Sequence, residues 1–198
     1  MNGLSRSFVA GVIASSFMLV LFGTLQKASA SELPDDSYFQ LDILLETQAG
    51  EGLRFSEMQG RPLIVAMFYA SCPHVCPMTV STIRAIEAQL PSEARERLQV
   101  LMITFDPERD TPAALADLAE RHRVNNDRWR FVRTAAAEVR PVAAVLGIKY
   151  RQLPDGGFNH SSPILLLDGE GREISRSEKL GMPDPVFVQE VATALQGK

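Results

Sequence analysis

Three short, almost unbroken apolar runs constrain this chain most. They are Pro62-Leu-Ile-Val-Ala-Met-Phe-Tyr69, Gln99-Val-Leu-Met-Ile-Thr-Phe105 and Pro163-Ile-Leu-Leu-Leu167. A strand with apolar side chains at successive positions must be covered on both faces. Segments with helical spacing lie between these runs. Pro77 to Leu90 carries Met78, Ile83, Ile86 and Leu90, and Pro77 suits a first helical turn. Thr111 reads as the N-cap of a helix opened by Pro112, with Leu115, Leu118 and Ala119 as its apolar stripe. Thr134 to Leu146 reads as a third helix stopped by Gly147, in which Pro141 predicts a kink or a late start. Pro185 to Leu195 reads as a fourth, and Phe39–Leu45 alternates enough for an outer strand. Asp155-Gly156-Gly157 and Asp168-Gly169-Glu170-Gly171 are turn signals, the second joining two hairpin strands. Buried strands alternating with helices predict an α/β sandwich, a central sheet flanked by helices.

The fold begins after a leader. Arg6 precedes an apolar run from Phe8 to Leu25, and Ala28-Ser29-Ala30 offers a small-x-small cleavage site. This is the pattern of a secretory signal peptide, and the run is also long enough for an uncleaved membrane anchor. Either reading exports the chain to a compartment where disulfides form, with residues 31–37 as a polar tether and 38–198 as one domain. Loss of Arg6 and Lys27 takes the net charge from −4 to −6. An acidic domain without a Lys/Arg cluster gives no support for nucleic-acid binding.

Two cysteines cannot staple a domain of this size, and both fall in Cys72-Pro73-His74-Val75-Cys76-Pro77. They sit where the strand ending near Tyr69 meets the helix beginning near Pro77. Anions and ligands favour such a junction, and the helix N-terminus is expected to depress a nearby thiol pKa. A disulfide here would close too short a loop to gain much chain entropy, which argues for chemistry over stapling. The histidines are His74, His122 and His160. His122, in Glu120-Arg121-His122-Arg123, reads as solvated. His160 taken alone reads as a loop histidine, although its place before a central strand lets it face the cysteines. Two thiolates and one imidazole would form a three-coordinate soft site suited to Cu(I), whereas structural zinc usually takes four protein ligands. Asp106 and Asp110 read as turn and capping residues, with Arg109 able to pair with either. Met67, Met78 and Met102 read as core.

These residues resemble the Sco/SenC family of copper-binding, thioredoxin-like assembly factors for cytochrome c oxidase. The resemblance covers about residues 38–195. It rests on Cys-Pro-His-Val-Cys-Pro at 72–77, Thr-Phe-Asp-Pro-Glu-Arg-Asp-Thr-Pro at 104–112, Phe-Asn-His-Ser at 158–161 and Leu-Leu-Asp-Gly-Glu-Gly-Arg at 166–172. It implies a thioredoxin-like fold and copper, as Cu(I) or Cu(II), ligated by Cys72, Cys76 and His160. It also implies an exported or membrane-tethered domain on the periplasmic side. Such a domain would pass copper or reducing equivalents to the copper-bearing oxidase subunit or to another copper chaperone. His74 departs from this family, which often has Asp there. Pro163 resembles the cis-proline that faces the cysteine pair in thioredoxin-like oxidoreductases, so a cis bond would favour thiol exchange. The alternative function is a cell-envelope thiol–disulfide oxidoreductase with Cys72 and Cys76 as its redox pair. A peroxidase is a more distant third.

Overall fold

The computed structural model describes residues 33–72 and 75–197. Its main sheet has seven strands. Their spatial order is β2 (Gly52–Arg54), β1 (Leu44–Thr47), β5 (Trp129–Arg133), β4 (Gln99–Thr104), β3 (Leu63–Phe68), β8 (Ile164–Leu167) and β9 (Glu173–Ser177). β3, β4 and β5 run parallel, and the remaining neighbours pair antiparallel. A separate two-stranded sheet is formed by β6 (Tyr150–Gln152) and β7 (Phe158–His160), joined through the Asp155-Gly156-Gly157 turn. The helices are α1 (Val75–Ala88), α2 (Ser92–Arg97), α3 (Pro112–His122), α4 (Val139–Val145) and α5 (Pro185–Ala194). This is a mixed sheet flanked by helices in a thioredoxin-like arrangement.

The three apolar runs form β3, β4 and β8, and all six positions of β3 are buried. The Phe68 ring meets Phe131 edge-on with centroids 5.5 Å apart. Each such ring removed from water contributes roughly 2–3 kcal/mol. Glu87 is buried in α1, where it pairs with Arg128 and accepts from Trp129 Nε1 at 3.1 Å. Its charge is therefore compensated inside the core. Thr111 caps α3 by accepting from the Ala114 amide, and Asp184 caps α5 by accepting from the Val186 amide.

Several elements differ from the sequence expectation. Only the end of Phe39–Leu45 is a strand, because Tyr38–Gln40 is a 3-10 turn whose Phe39 amide donates to the Ser37 hydroxyl. That turn drives Phe39 against Phe55 beneath Gly171, where an added Cβ would lie 2.5 Å from the Phe39 ring. Gly171 also has φ +83°, so two constraints select glycine there. Within the expected tether, Ser37 is buried and donates to the Glu170 carbonyl at 2.5 Å. The third helix starts late, at Val139, which puts Pro141 in its first turn where no amide is missed. Met67 and Met102 are buried, but Met78 is 41% exposed, because Val80, Ile83 and Ile86 are the α1 residues that face the core. The described residues contain no cis peptide bond, so Ser162–Pro163 is trans. Among the described residues, no helix is long and apolar enough to cross a membrane. The 8–25 run lies outside them.

Candidate metal centre

Two cores of polar bonding hold the chain as it leaves β3. The Cys72 amide donates to the Tyr69 carbonyl at 3.1 Å, closing a turn that ends on the first thiol. Asp110, reaching over from the segment after β4, accepts from the Ala70 amide at 2.9 Å and from the Thr104 hydroxyl. Asp110 is thus a strut under the cysteine loop rather than a helix cap. Burial pushes its carboxyl above the usual range, against the opposing hydrogen bonds from Thr104 and Ala70. Asp106 binds Arg109, as one of the two expected pairings required.

Cys72 precedes α1 and Cys76 lies in its first turn, 8% and 5% exposed. The Cys76 amide points at Cys72 Sγ at 3.4 Å, and the Tyr69 amide points at Cys76 Sγ at 3.4 Å. Each sulfur therefore receives a backbone donor, which favours the thiolate. The expected depression of thiol pKa is nevertheless overturned for Cys76. Burial raises it far above an ordinary thiol, the Tyr69 amide opposes that only partly, and Cys72 adds to the rise. Desolvation outweighs the helix N-terminus here. A cation bound between the sulfurs would supply the missing charge and displace the protons.

The third group arrives from the small hairpin. His160 ends β7, and its Nδ1 lies 2.9 Å from the Ser161 carbonyl. A carbonyl can only accept, so the neutral ring carries its proton on Nδ1 and keeps the Nε2 lone pair free. Burial holds this imidazole below its ordinary pKa, against the opposing Ser161 bond. Ligand atoms from Cys72, Cys76 and His160 all lie within 4.8 Å of one another, the one such group among the described residues. His74 lies outside the described residues. His122, at the end of α3, is half-buried rather than fully solvated, and burial with Arg121 and Arg84 lowers its pKa.

Aromatic rings that sequence reasoning assigned no role surround His160. Phe105 lies 4.8 Å from the imidazole centroid and Tyr69 lies 5.9 Å away. Phe105 also stacks on Tyr150 at 5.0 Å, and Phe158 meets Tyr69 edge-on at 5.1 Å. Arg109 donates to the Gly156 carbonyl and so pins the hairpin tip to the Asp106–Asp110 segment. The signal for this cluster was Tyr69, Phe105 and Phe158 each lying within three residues of a motif already singled out. The donor set is two sulfurs and one nitrogen, partly shielded from water. That chemistry fits a soft monovalent ion with low coordination number, and Cu(I) better than zinc.

The SCO1/SenC family model matches residues 33–196. A candidate copper-binding protein of Stutzerimonas stutzeri is 42% identical over 119 residues, 58% of this chain and 57% of that relative's length. The copper-bound ScoI structure of Bradyrhizobium japonicum superposes with a TM-score of 0.64 at 24% identity, covering 78% of this chain and 95% of that one. A SCO1/SenC family lipoprotein from Bacillus anthracis has a TM-score of 0.68 at 15% identity, covering 77% and 94% of the two chains. The likeness to these two structures is one of fold.

Proposed function

Because the chain belongs to the SCO1/SenC family, we propose that it is a copper metallochaperone that delivers copper to, or matures the copper site of, a respiratory cytochrome c oxidase. The observation that carries this reading is the convergence of Cys72, Cys76 and His160 within 4.8 Å. Copper is the cargo. The two thiolates hold it between the turn after β3 and the start of α1, and Nε2 of His160 completes a three-coordinate site. Copper and a Cys72–Cys76 disulfide exclude each other, since ligation needs both thiolates.

The architecture also supports release. His160 rides on a hairpin with no ladder to the seven-stranded sheet. A partner's ligand can therefore displace the imidazole without breaking the core sheet. The copper-bearing subunit of the oxidase, or another copper chaperone, is the partner this reading requires. The chain works outside the cytoplasm, on the periplasmic side of the membrane. Residues 1–30 serve as signal peptide or anchor, and the copper-binding domain reaches back to include Ser37, which is buried on the Glu170 carbonyl.

The cell-envelope thiol–disulfide oxidoreductase reading draws support from the adjacency of the two thiols. Both are buried, which limits a client disulfide's access to either sulfur and weighs against rapid turnover. The test is titration of the reduced protein with Cu(I) against a competing chelator. Cys72→Ala, Cys76→Ala and His160→Ala should each lose binding. Unchanged affinity in His160→Ala would remove the third ligand from the account.

A further inference from the structure

The methionines of the described residues divide sharply. Met58, Met67 and Met102 are buried in the core, whereas Met78 is 41% and Met182 77% exposed. The two exposed thioethers are far apart in sequence but are fastened to one another. The Gly181 amide donates to Thr82 Oγ1 at 2.9 Å, and the Thr82 hydroxyl donates to the Met78 carbonyl at 2.7 Å. Met182 is therefore carried on a loop attached one turn of α1 beyond Met78. That loop is built rather than frayed. The Lys179 amide donates to Ser177 Oγ at 3.3 Å, and Lys179 Nζ pairs with Asp184 at 2.9 Å. Gly181 has φ +88°, a conformation that favours glycine. Leu180 packs against the core, while Met182 is left to solvent.

The pair lies at the pole of the domain that carries the cysteines. β8 is antiparallel to both β3 and β9, so β3 and β9 end at the same side of the sheet. Cys72 follows β3, and the Met182 loop follows β9. Met78 is two residues beyond Cys76 in α1. Residues two apart do not share a helix face, so Met78 stands outside the buried thiols rather than among them. Thioethers are soft ligands that select Cu(I), and each sits on a chain with three rotatable bonds. The thiols are only 8% and 5% exposed, so an arriving ion meets the surface sulfurs first.

We infer that Met78 and Met182 form a surface thioether site for Cu(I) that receives the ion before Cys72 and Cys76 do. The entry role rests on the copper reading above; the thioether site is testable apart from it. Transfer inward is ligand exchange. Copper stays Cu(I), its bonds to the thioethers break as bonds to the thiolates form, and the thiol protons pass to water.

The experiment uses the full chain labelled with [methyl-13C]methionine, and Cu(I) alone as the probe. In Cys72→Ser/Cys76→Ser, which has no thiolates, the Met78 and Met182 methyl signals should move together as Cu(I) is added without oxygen. Those of the buried Met58, Met67 and Met102 should stay in place. Stationary signals at Met78 and Met182, or movement of only one, would overturn the thioether site. In the second assay, stopped flow follows transfer of Cu(I) from a small-molecule chelator to the thiols of the wild-type chain. Met78→Leu/Met182→Leu keeps the bulk of two exposed side chains and removes only their sulfurs. It should load about tenfold more slowly, because the ion is no longer held at high local concentration beside the thiols. Equal loading rates would overturn the entry role. A wild type that takes up no Cu(I) at Cys72 and Cys76 would overturn the copper reading, and the methyl titration of the serine variant would still decide the thioether site.

Discussion

The two halves of the metal centre are held in different ways. Cys72 and Cys76 belong to the scaffold: they follow a fully buried strand, enter α1 and are supported by Asp110 and two backbone amides. His160 belongs to a two-stranded hairpin with no ladder to the main sheet, held by ring packing, Tyr69 and the Arg109 bond at its tip. The difference teaches how a soft site can be both tight and reversible. The sulfurs are fixed with the fold, while the imidazole is attached by contacts that can open separately. A site built wholly on the sheet could release its ion only by deforming the core.

The comparison makes graded predictions. The largest effect lies on the scaffold side. Phe68→Ala should destabilise the domain by about 3–5 kcal/mol, measured by denaturant unfolding, because it leaves a cavity under β3 beside Phe131. A loss below about 1 kcal/mol would mean that β3 is not the rigid half. The intermediate effect lies on the hairpin side. Arg109→Ala should weaken copper binding about tenfold, as loss of a group supporting a ligand does. The same change should cost only about 1 kcal/mol of stability, since its ion pair with Asp106 is half exposed. An equal loss in both measurements would show that hairpin and sheet unfold as one unit.

The smallest effect is electrostatic. In the metal-free protein His160 should titrate, by NMR of its ring protons, below the free-histidine value of 6.5, because the seated hairpin desolvates it. A folded pKa below the unfolded one means that the unfolded chain binds more protons in between. The contribution is complete above pH 6.5 and is lost as the pH falls through the depressed folded value. Arg109→Ala, by loosening the hairpin, should move the midpoint back toward 6.5. An unmoved midpoint would place the restraint entirely in the aromatic packing.

What could be read in the sequence divides along the same line. β3, β4 and β8 were legible because burial on both faces leaves no alternation to misread. The cap Thr111 and the turn at Gly169–Gly171 follow from local chemistry, and Thr111-Pro112 marked its helix directly. The two cysteines were legible through their spacing, and His160 through its motif. The hairpin was not. Tyr150–Gln152 and Phe158–His160 are only three residues each and are set by tertiary ring stacking rather than by a pattern of their own. β5 was missed because Trp129-Arg-Phe-Val-Arg133 mixes long charged side chains with its buried positions. The Cys76 pKa was misjudged because the helix N-terminus is visible in sequence, whereas the burial that outweighs it is a property of the folded loop. Tyr69 was read as the last residue of a strand, and nothing local reveals that its ring meets Phe158 and His160 of the hairpin.

The central claim is that one ion is held jointly by the fixed and the detachable halves. X-ray absorption on the reduced protein carrying one Cu(I) tests it most directly. The account predicts two sulfur ligands and one nitrogen, and two sulfurs alone in His160→Ala. A wild-type spectrum with sulfur ligands only, unchanged by His160→Ala, would contradict it.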